Sequence, residues 1–214
     1  MKLILLGAPG AGKGTQAAQI QAEFGIPAIS TGQIIRESIA AGTALGNKMK
    51  DFIDRGELVP DDIVVGMVKE RLKEDDCKNG YILDGFPRTV SQAMIMEELP
   101  ILIDVALEID VDEKLIVDRL SGRRVCKNCG ATYHISGNPS KKEGVCDVCG
   151  GALKQRDDDV PDVIRHRLEV YNEQTKPLKD FYSERGLLLT VKGLDKVEDT
   201  KCAILKALRE YIEA

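Results

Sequence analysis

Leu3-Ile4-Leu5-Leu6-Gly7-Ala8-Pro9-Gly10-Ala11-Gly12-Lys13-Gly14-Thr15 is a short apolar run that breaks into a glycine-rich loop. The four leading residues show no polar alternation, the pattern of a strand buried on both faces of a parallel sheet. A helical pattern follows from Lys13 to Phe24, so the loop joins a strand to a helix. In that context, glycines at 7, 10, 12 and 14 with Lys13 point to a phosphate cradle rather than a plain turn. The glycines let several backbone N–H groups converge on phosphate oxygens. The helix N-terminus adds partial positive charge and Lys13 a full one. The general loop carries Ser or Thr directly after the lysine as a magnesium ligand. Here Gly14 stands in that place and Thr15 follows, so the cradle is better supported than a side-chain metal ligand.

Outward from the loop, strands and helices alternate. Short apolar runs at Ala28–Ser30, Tyr81–Leu83, Val105–Ile109 and Leu187–Val191 read as strands. Helical patterns cover Gln33–Ala41, Leu45–Arg55, Asp61–Glu74, Ser91–Leu99, Asp112–Leu120, Asp162–Glu184 (bent near Pro177) and Thr200–Ile212. Such alternation predicts an α/β fold, a parallel sheet with helices on both faces. Residues 122–159 break the scheme: polar, glycine-containing and carrying paired cysteines, they lack the apolar residues for a core of their own.

Composition removes several function classes. The 214 residues carry 30 Lys+Arg against 35 Asp+Glu, a net charge of -5, which disfavours nucleic acid or an anionic membrane as partner. Aromatics are 4% and Trp is absent, so base-stacking platforms are not expected. No apolar run approaches the ~18 residues of a membrane span. The apolar part of Met1–Gly7 is too short for a signal peptide, so a cytoplasmic chain with reduced thiols is expected.

Further motifs follow in order: Ile29-Ser30-Thr31-Gly32, Arg36, Gly56-Glu57-Leu58-Val59-Pro60-Asp61, Asp84-Gly85-Phe86-Pro87-Arg88 with Gln92, Gly122-Arg123-Arg124, Arg156-Asp157-Asp158-Asp159, and Arg167. Together with the loop they resemble adenylate kinase, a P-loop nucleoside monophosphate kinase, over essentially the whole chain. The Gly14-Thr15 variant of the loop belongs to that family's pattern, and the long 122–159 insert resembles the long-lid bacterial type. Gln33, Ile34 and Ile35 depart from it, where the family usually has an acidic residue and a Met-Leu pair.

The resemblance implies a core of residues 1–29, 60–121 and 160–214, a monophosphate-binding segment at 30–59, and a lid at 122–159. The implied reaction is reversible Mg-dependent phosphoryl transfer from ATP to AMP, giving two ADP. Its physics suits the residues present. A phosphate oxygen attacks, already anionic, so no general base is required, and the only two histidines, His134 and His166, lie in no nucleophile-activating context. The barrier falls by positioning and by charge neutralisation, for which arginine forks are suited. The resemblance makes Lys13, Arg88, Arg123, Arg156 and Arg167 catalytic. It places ATP on Gly10, Ala11, Gly12, Lys13, Gly14, Thr15, Arg119, Arg123, Thr132 and Tyr133. It places AMP on Thr31, Arg36, Glu57, Leu58, Val59, Gly85, Phe86, Pro87, Arg88, Gln92, Arg156 and Arg167. Asp84 would hold Mg2+ through water. Asp158 and Asp159 read as hinge or lid contacts, or as a solvated acidic turn. A monomer is the family expectation.

Cys126-x2-Cys129 and, 16 residues on, Cys146-x2-Cys149 have the spacing of a tetrahedral four-thiolate site, best suited to structural Zn2+. Such a site supplies the core that Val125, Tyr133, Ile135, Val145, Val148 and Leu153 cannot supply alone. Iron or another tetrahedral metal also suits thiolates, and two disulfides are the alternative that a reducing compartment disfavours. Cys77 and Cys202 are expected as small buried residues. The lid holds 7 Lys+Arg and 5 Asp+Glu, a mildly basic flap on an acidic protein. Other functions considered are a different nucleoside monophosphate kinase, a GTP:AMP phosphotransferase, a zinc-ribbon nucleic-acid-binding ATPase, and a metal-sensing switch. Acidic balance and the lack of a basic–aromatic stripe weigh against the nucleic-acid reading.

Overall fold

The computed structural model describes residues 1–99 and 101–213; Pro100 and Ala214, assigned above to the core, lie outside the described residues. The strands run β1 (Lys2–Leu6), β2 (Ala28–Ser30), β3 (Tyr81–Asp84), β4 (Val105–Asp110), β5 (Arg123–Cys126), β6 (Thr132–His134), β7 (Leu153–Lys154) and β8 (Leu188–Lys192). The helices run α1 (Lys13–Phe24), α2 (Thr31–Ala40), α3 (Ala44–Arg55), α4 (Asp61–Arg71), α5 (Val90–Glu98), α6 (Glu113–Ser121), α7 (Pro161–Val170), α8 (Leu178–Glu184) and α9 (Val197–Glu213).

Five strands form one parallel sheet in the order β2-β3-β1-β4-β8. Successive side chains of β1 point to opposite faces. Leu3 and Leu5 pack with Ile20 of α1 and Ile204 and Leu208 of α9. Ile4 and Leu6 pack with Val64 and Val68 of α4, Met96 of α5 and Phe181 of α8. A strand read as apolar on both faces is therefore covered on both, as expected. Glu108, on β4, is the exception inside the sheet: its buried carboxylate takes Lys179 Nζ at 2.7 Å and Thr190 Oγ1 at 2.9 Å.

Helix boundaries moved where local chemistry outweighed periodicity. The pattern read over 162–184 is two helices, with a π-helical turn at Tyr171–Thr175 before Pro177 caps α8. Proline lacks the N–H that an unbroken helix would need there. α9 starts at Val197, and Cys202 on it is exposed, not buried. The inward stripe is Thr200, Ile204, Leu205 and Leu208; a residue two positions before Ile204 faces roughly the opposite way. Cys77 is buried as expected.

Residues 122–159 fold as a separate antiparallel sheet, β6-β5-β7. Its core is Cys126, Tyr133 and Cys146 with Ala131 and Leu153 against them. Ile135 and Val148, expected to be buried, are 61% and 74% exposed. A lobe this small has no interior to hold them, so even more of its cohesion falls on the cysteines.

Candidate functional site: a cation-lined nucleotide cleft

The C-terminal ends of β1, β3 and β2 open onto one cavity of about 770 Å3. Gly10, Ala11, Gly12, Lys13, Gly14 and Thr15 all line it. Gly7, Gly10 and Gly12 hold φ of 138°, 84° and 96°, which turns the loop's amides inward and which side-chain-bearing residues rarely adopt. Lys13 Nζ donates to the carbonyls of Gly7 at 2.6 Å and Ala8 at 2.9 Å. Burial lowers its pKa to about 8. Asp84 works against that shift, while Arg88, Arg167 and Arg123 add to it.

The arginines converge on the same space. Arg36, Arg88, Arg119, Arg123, Arg156 and Arg167 all line the cavity. Arg88 Nε donates to Gly85 O at 2.9 Å, and burial with the nearby Arg167 pushes its pKa down to about 10. Burial, then Arg123 and Arg36, bring Arg156 down to about 9. Arg36 is lowered mainly by burial. Arg156 Nε is buried with no hydrogen-bond partner among the described residues. A buried, unpaired guanidinium N–H is costly unless an anion completes it.

Two aspartates hold the remaining cations. Asp159, fully buried, takes Arg123 Nε at 2.7 Å and Nη2 at 2.5 Å, a bidentate fork, and also Arg167 Nη1 at 3.1 Å. Asp158 takes Arg167 Nη1 at 3.0 Å. Burial alone would raise the Asp158 carboxyl, but Arg167, Arg156, Arg123 and Arg36 outweigh it and leave it below the ordinary carboxylate range. The solvated acidic turn is therefore ruled out: these side chains are folded inward because the cations they face are there. Asp159 is the functional residue whose role the sequence left open, and the available signal was an acidic run in a chain with five converging cations.

A second, much smaller cavity of about 20 Å3 adjoins the first through Gly85, Arg88 and Leu58. Thr31, Glu57, Val59 and Gln92 line it, with Ile35, Ile53 and Val64. Thr31 Oγ1 donates to Gly85 O at 2.9 Å. Of the expected AMP residues, Phe86 reaches neither cavity; it is fully buried in the core against the sheet and anchors the turn, while Pro87 lines the large cavity. Glu57 turns its carboxylate outward to Arg55 at 2.8 Å. Gln33 pairs with Glu37 at 2.8 Å, and a Cβ on Gly130 would lie 3.8 Å from Gln33 Nε2. Lid and 30–59 segment thus meet across the cleft, and the unusual Gln33 sits at that meeting point.

At the other end, Leu115, Leu194, Val197 and Thr200 give the large cavity an apolar wall that the motifs did not identify. Arg119 lines it while donating to Leu194 O at 2.9 Å. Thr132 and Tyr133 line the lid side with His134. The Tyr133 hydroxyl is turned to the cysteines, 3.5 Å from Cys146 Sγ, and accepts from Asp147 N at 2.8 Å. Arg124 faces the backbone of Ser121 and Arg123, outside the cleft.

The four cysteine sulfurs lie within 4.8 Å of one another, with Cys126–Cys149 at 3.4 Å and Cys129–Cys146 at 3.6 Å. Zinc–sulfur bonds near 2.3 Å in a tetrahedron put sulfurs about 3.8 Å apart, so the cluster fits the ion. Both knuckles are built alike: Gly130 N donates to Cys126 O at 3.0 Å, and Gly150 N to Cys146 O at 2.9 Å. The Tyr133 hydroxyl, then backbone N–H groups, favour the thiolate at Cys146, while at Cys129 and Cys149 the backbone N–H groups of Ala131 and Gly151 are outweighed by the neighbouring sulfurs and desolvation, which push the thiol up, so the four need a cation to ionise together. No sulfur pair is bonded; all six cysteines are free. His134 stands outside the cluster: its Nδ1 accepts from Ser136 N and Gly137 N, and its Nε2 faces Asp118 O. For magnesium, the donors at hand are oxygens, the Asp84 carboxylate and the Thr15 hydroxyl, of the hard type it prefers. A Cβ on Gly14 would stand 3.4 Å from Asp84 Oδ2, so glycine leaves that carboxylate open to the cleft.

The family model for adenylate kinase matches residues 5–187. A protein named adenylate kinase from Caldicellulosiruptor bescii is 54% identical over 212 residues, covering 97% of this chain and 99% of that protein. Adenylate kinases from Thermodesulfovibrio yellowstonii and Methanosarcina mazei are 54% and 49% identical, each covering 96% of this chain and 99% of the other. No helix of the described residues is long and apolar enough to cross a membrane.

Proposed function

The chain belongs to the adenylate kinase family and is an ATP:AMP phosphotransferase, and we propose the following division of that work among its residues. ATP lies with its polyphosphate on Gly10–Thr15 and its base against the apolar wall that includes Leu115 and Val197, beside Arg119 and under Thr132 and Tyr133. AMP enters through the 30–59 segment, its base against Thr31, Val59 and Gln92, where the slot of about 20 Å3 has to widen to take a purine, and its phosphate against Arg36, Arg88 and Arg156. Between them Lys13, Arg123 and Arg167 face the group in transit. Asp84 and Thr15 would hold Mg2+, largely through its own waters, and the ion supplies further neutralisation of polyphosphate charge.

The observation that carries this reading is the buried, unpaired Nε of Arg156 inside a ring of cations whose pKa values are depressed. Such a ring is unfavourable empty and is completed by phosphate oxygens. The attacking AMP phosphate needs no proton removed, so these side chains orient the two nucleotides, stabilise the developing charge and move no proton. Residues 122–159 close over the pair and keep out water, the competing acceptor. Cys126, Cys129, Cys146 and Cys149 would hold zinc, which would tie that lid together and leave the transfer to the cleft residues. The working unit we propose is a monomer, on the family resemblance alone. The lid site needs reduced thiols, which supports the cytoplasm.

The test offers Mg-ATP with AMP, CMP, UMP or GMP and quantifies the diphosphate formed. AMP-dependent ADP formation is expected; preferred turnover of CMP or UMP overturns the acceptor assignment. Arg88→Ala lowers turnover by about two orders of magnitude or more, with the melting temperature held within a few degrees. Near-normal turnover removes Arg88 from the phosphoryl site.

A further inference from the structure

Gln92 is 1% exposed and lines the small slot, yet its amide is held on both atoms from behind. Nε2 donates to Asp61 Oδ1 at 2.7 Å, and Oε1 accepts from the backbone N–H of Arg88 at 2.7 Å. Its backbone is fixed as well, since Gln92 N donates to the Thr89 hydroxyl at 3.1 Å. The two partners leave no choice of orientation. An ionised carboxylate only accepts and a backbone N–H only donates. Flipping the amide would set Oε1 against the Asp61 carboxylate and Nε2–H against the Arg88 N–H.

We infer that Asp61, with the Arg88 amide, is the positioning device that makes the acceptor slot read a 6-amino purine and reject a 6-oxo purine. After both rear bonds are made, Gln92 retains one N–H on Nε2 and one lone pair on Oε1. That side-by-side donor and acceptor complements an adenine edge, which offers the N6 donor beside the N1 or N7 acceptor. A 6-oxo purine offers O6 with N1–H, the reverse order, or O6 with N7, two acceptors. Gln92 could satisfy the reversed edge only by flipping, and Asp61 forbids the flip. Thr31 donates its hydroxyl hydrogen to Gly85 O at 2.9 Å, so toward the base it can only accept and offers no donor to a 6-oxo group. The inference rests on the proposal that the acceptor base occupies this slot, and it locates the selectivity in the residue behind the amide.

Inosine monophosphate is the probe, because it differs from AMP on the reading edge and lacks the 2-amino group whose bulk would confuse a test with GMP. The ratio of kcat/KM for AMP over IMP is measured in the wild type, Asp61→Asn and Gln92→Leu, with KM for ATP as internal reference. The amide introduced by Asp61→Asn keeps the shape but can donate as well as accept, so one of the two bars to the flipped Gln92 is lifted while the Arg88 N–H still opposes it. The AMP:IMP ratio is expected to fall roughly tenfold or more in Asp61→Asn, through KM for the monophosphate, and to fall likewise in Gln92→Leu. Asp62 still supplies an acid to the first turn of α4, so the melting temperature of Asp61→Asn is expected within about 4 °C of wild type. AMP and IMP weakened equally in Asp61→Asn would make Asp61 merely structural and overturn the inference. Discrimination retained in Gln92→Leu would overturn it too, even if the aspartate variant failed to fold. A wild type that phosphorylates neither nucleotide would instead defeat the acceptor reading itself, and the inference with it.

Discussion

Removing Asp159 tests whether the cleft's cations are held in place by their own counter-ions. Asp159→Ala deletes a fully buried carboxylate that takes two bonds from Arg123 and one from Arg167. Breaking a buried pair by deleting one partner costs about 3–5 kcal/mol. The two arginine side chains retain 16% and 18% exposure, and Asp158 still meets Arg167, so roughly 2–4 kcal/mol is the better expectation here. At about 3 °C per kcal/mol for a chain of this size, the ligand-free protein should melt roughly 6–12 °C lower. A bisubstrate analogue, two adenosines joined through a polyphosphate, brings anionic oxygens to the same guanidiniums. The deficit should then shrink to less than half when the analogue saturates both proteins. Arg123 and Arg167 lose their aim, so kcat should fall about a hundredfold, which is about 2.7 kcal/mol of transition-state stabilisation. Thermal melts with and without the analogue, beside a coupled assay for ADP, measure all three. Arg209→Ala, which breaks an exposed pair with Glu23, is the control and should cost under about 1 kcal/mol. A shift under about 2 °C in the ligand-free protein, or the same deficit with and without the analogue, refutes the reasoning.

Other outcomes follow from the same geometry. Purified under reducing conditions, the protein should carry about one metal ion per chain, and Cys146→Ser should lower the melting temperature more than turnover at moderate temperature; metal-free reduced protein that melts normally would exclude the structural site. Lys13 has its pKa lowered to about 8, so above pH 8 the unfolded chain binds the extra proton, and stability from this group rises from pH 8 toward 10.5. Polyphosphate restores the charge, so Lys13 should take up a fraction of a proton on binding near pH 8 and a larger fraction at pH 9; calorimetry in buffers of different ionisation enthalpy reads this, and a buffer-independent enthalpy would contradict it. Lys179→Met strands the buried Glu108 carboxylate with only Thr190 as partner, and should cost about 2 kcal/mol in a denaturant titration; a cost under about 0.5 kcal/mol would mean the pair is solvated.

The sheet was readable because its strands are buried on both faces: Leu3–Leu6, Tyr81–Leu83 and, Glu108 apart, Val105–Ile109 are apolar without alternation, and little else produces such runs between helical patterns. The phosphate loop and cysteine knuckles were readable because backbone geometry restricts them, glycine where φ is positive and thiolates at a two-residue spacing. Asp159 was not, since three successive aspartates look alike until the fold turns one of them onto Arg123. Phe86 was placed in the AMP motif by proximity alone; the turn carries its ring into the core, and its neighbours Gly85 and Pro87 do the lining. Nor was the apolar wall of the donor end legible, because Leu115, Leu194 and Val197 come from separate elements and each reads as ordinary surface or core. The π-helical turn at Tyr171–Thr175 carries no periodic signal; only Pro177 hinted at a break.

The empty cleft and the catalytic cleft place opposite demands on the same side chains. Like charges packed around one cavity repel, and the lowered pKa values of Lys13, Arg88 and Arg156 record burial together with that repulsion. Asp84, Asp158 and Asp159 relieve it only in part, leaving one Arg156 N–H with no partner among the described residues. A single nucleotide at the loop satisfies Lys13 but leaves the Arg36, Arg88 and Arg156 side unsatisfied. On the proposed placement, two phosphate chains in line would meet the cations on both sides of the cleft, and charge spread over the group between them would match that arrangement best. The electrostatic discomfort of the empty site therefore becomes selective stabilisation of the transfer itself, provided the lid holds water away. The 38 residues 122–159 bury Tyr133 and two cysteines and little else, so a metal on the four sulfurs would take the place of a hydrophobic core and would let the proposed lid move as one cover.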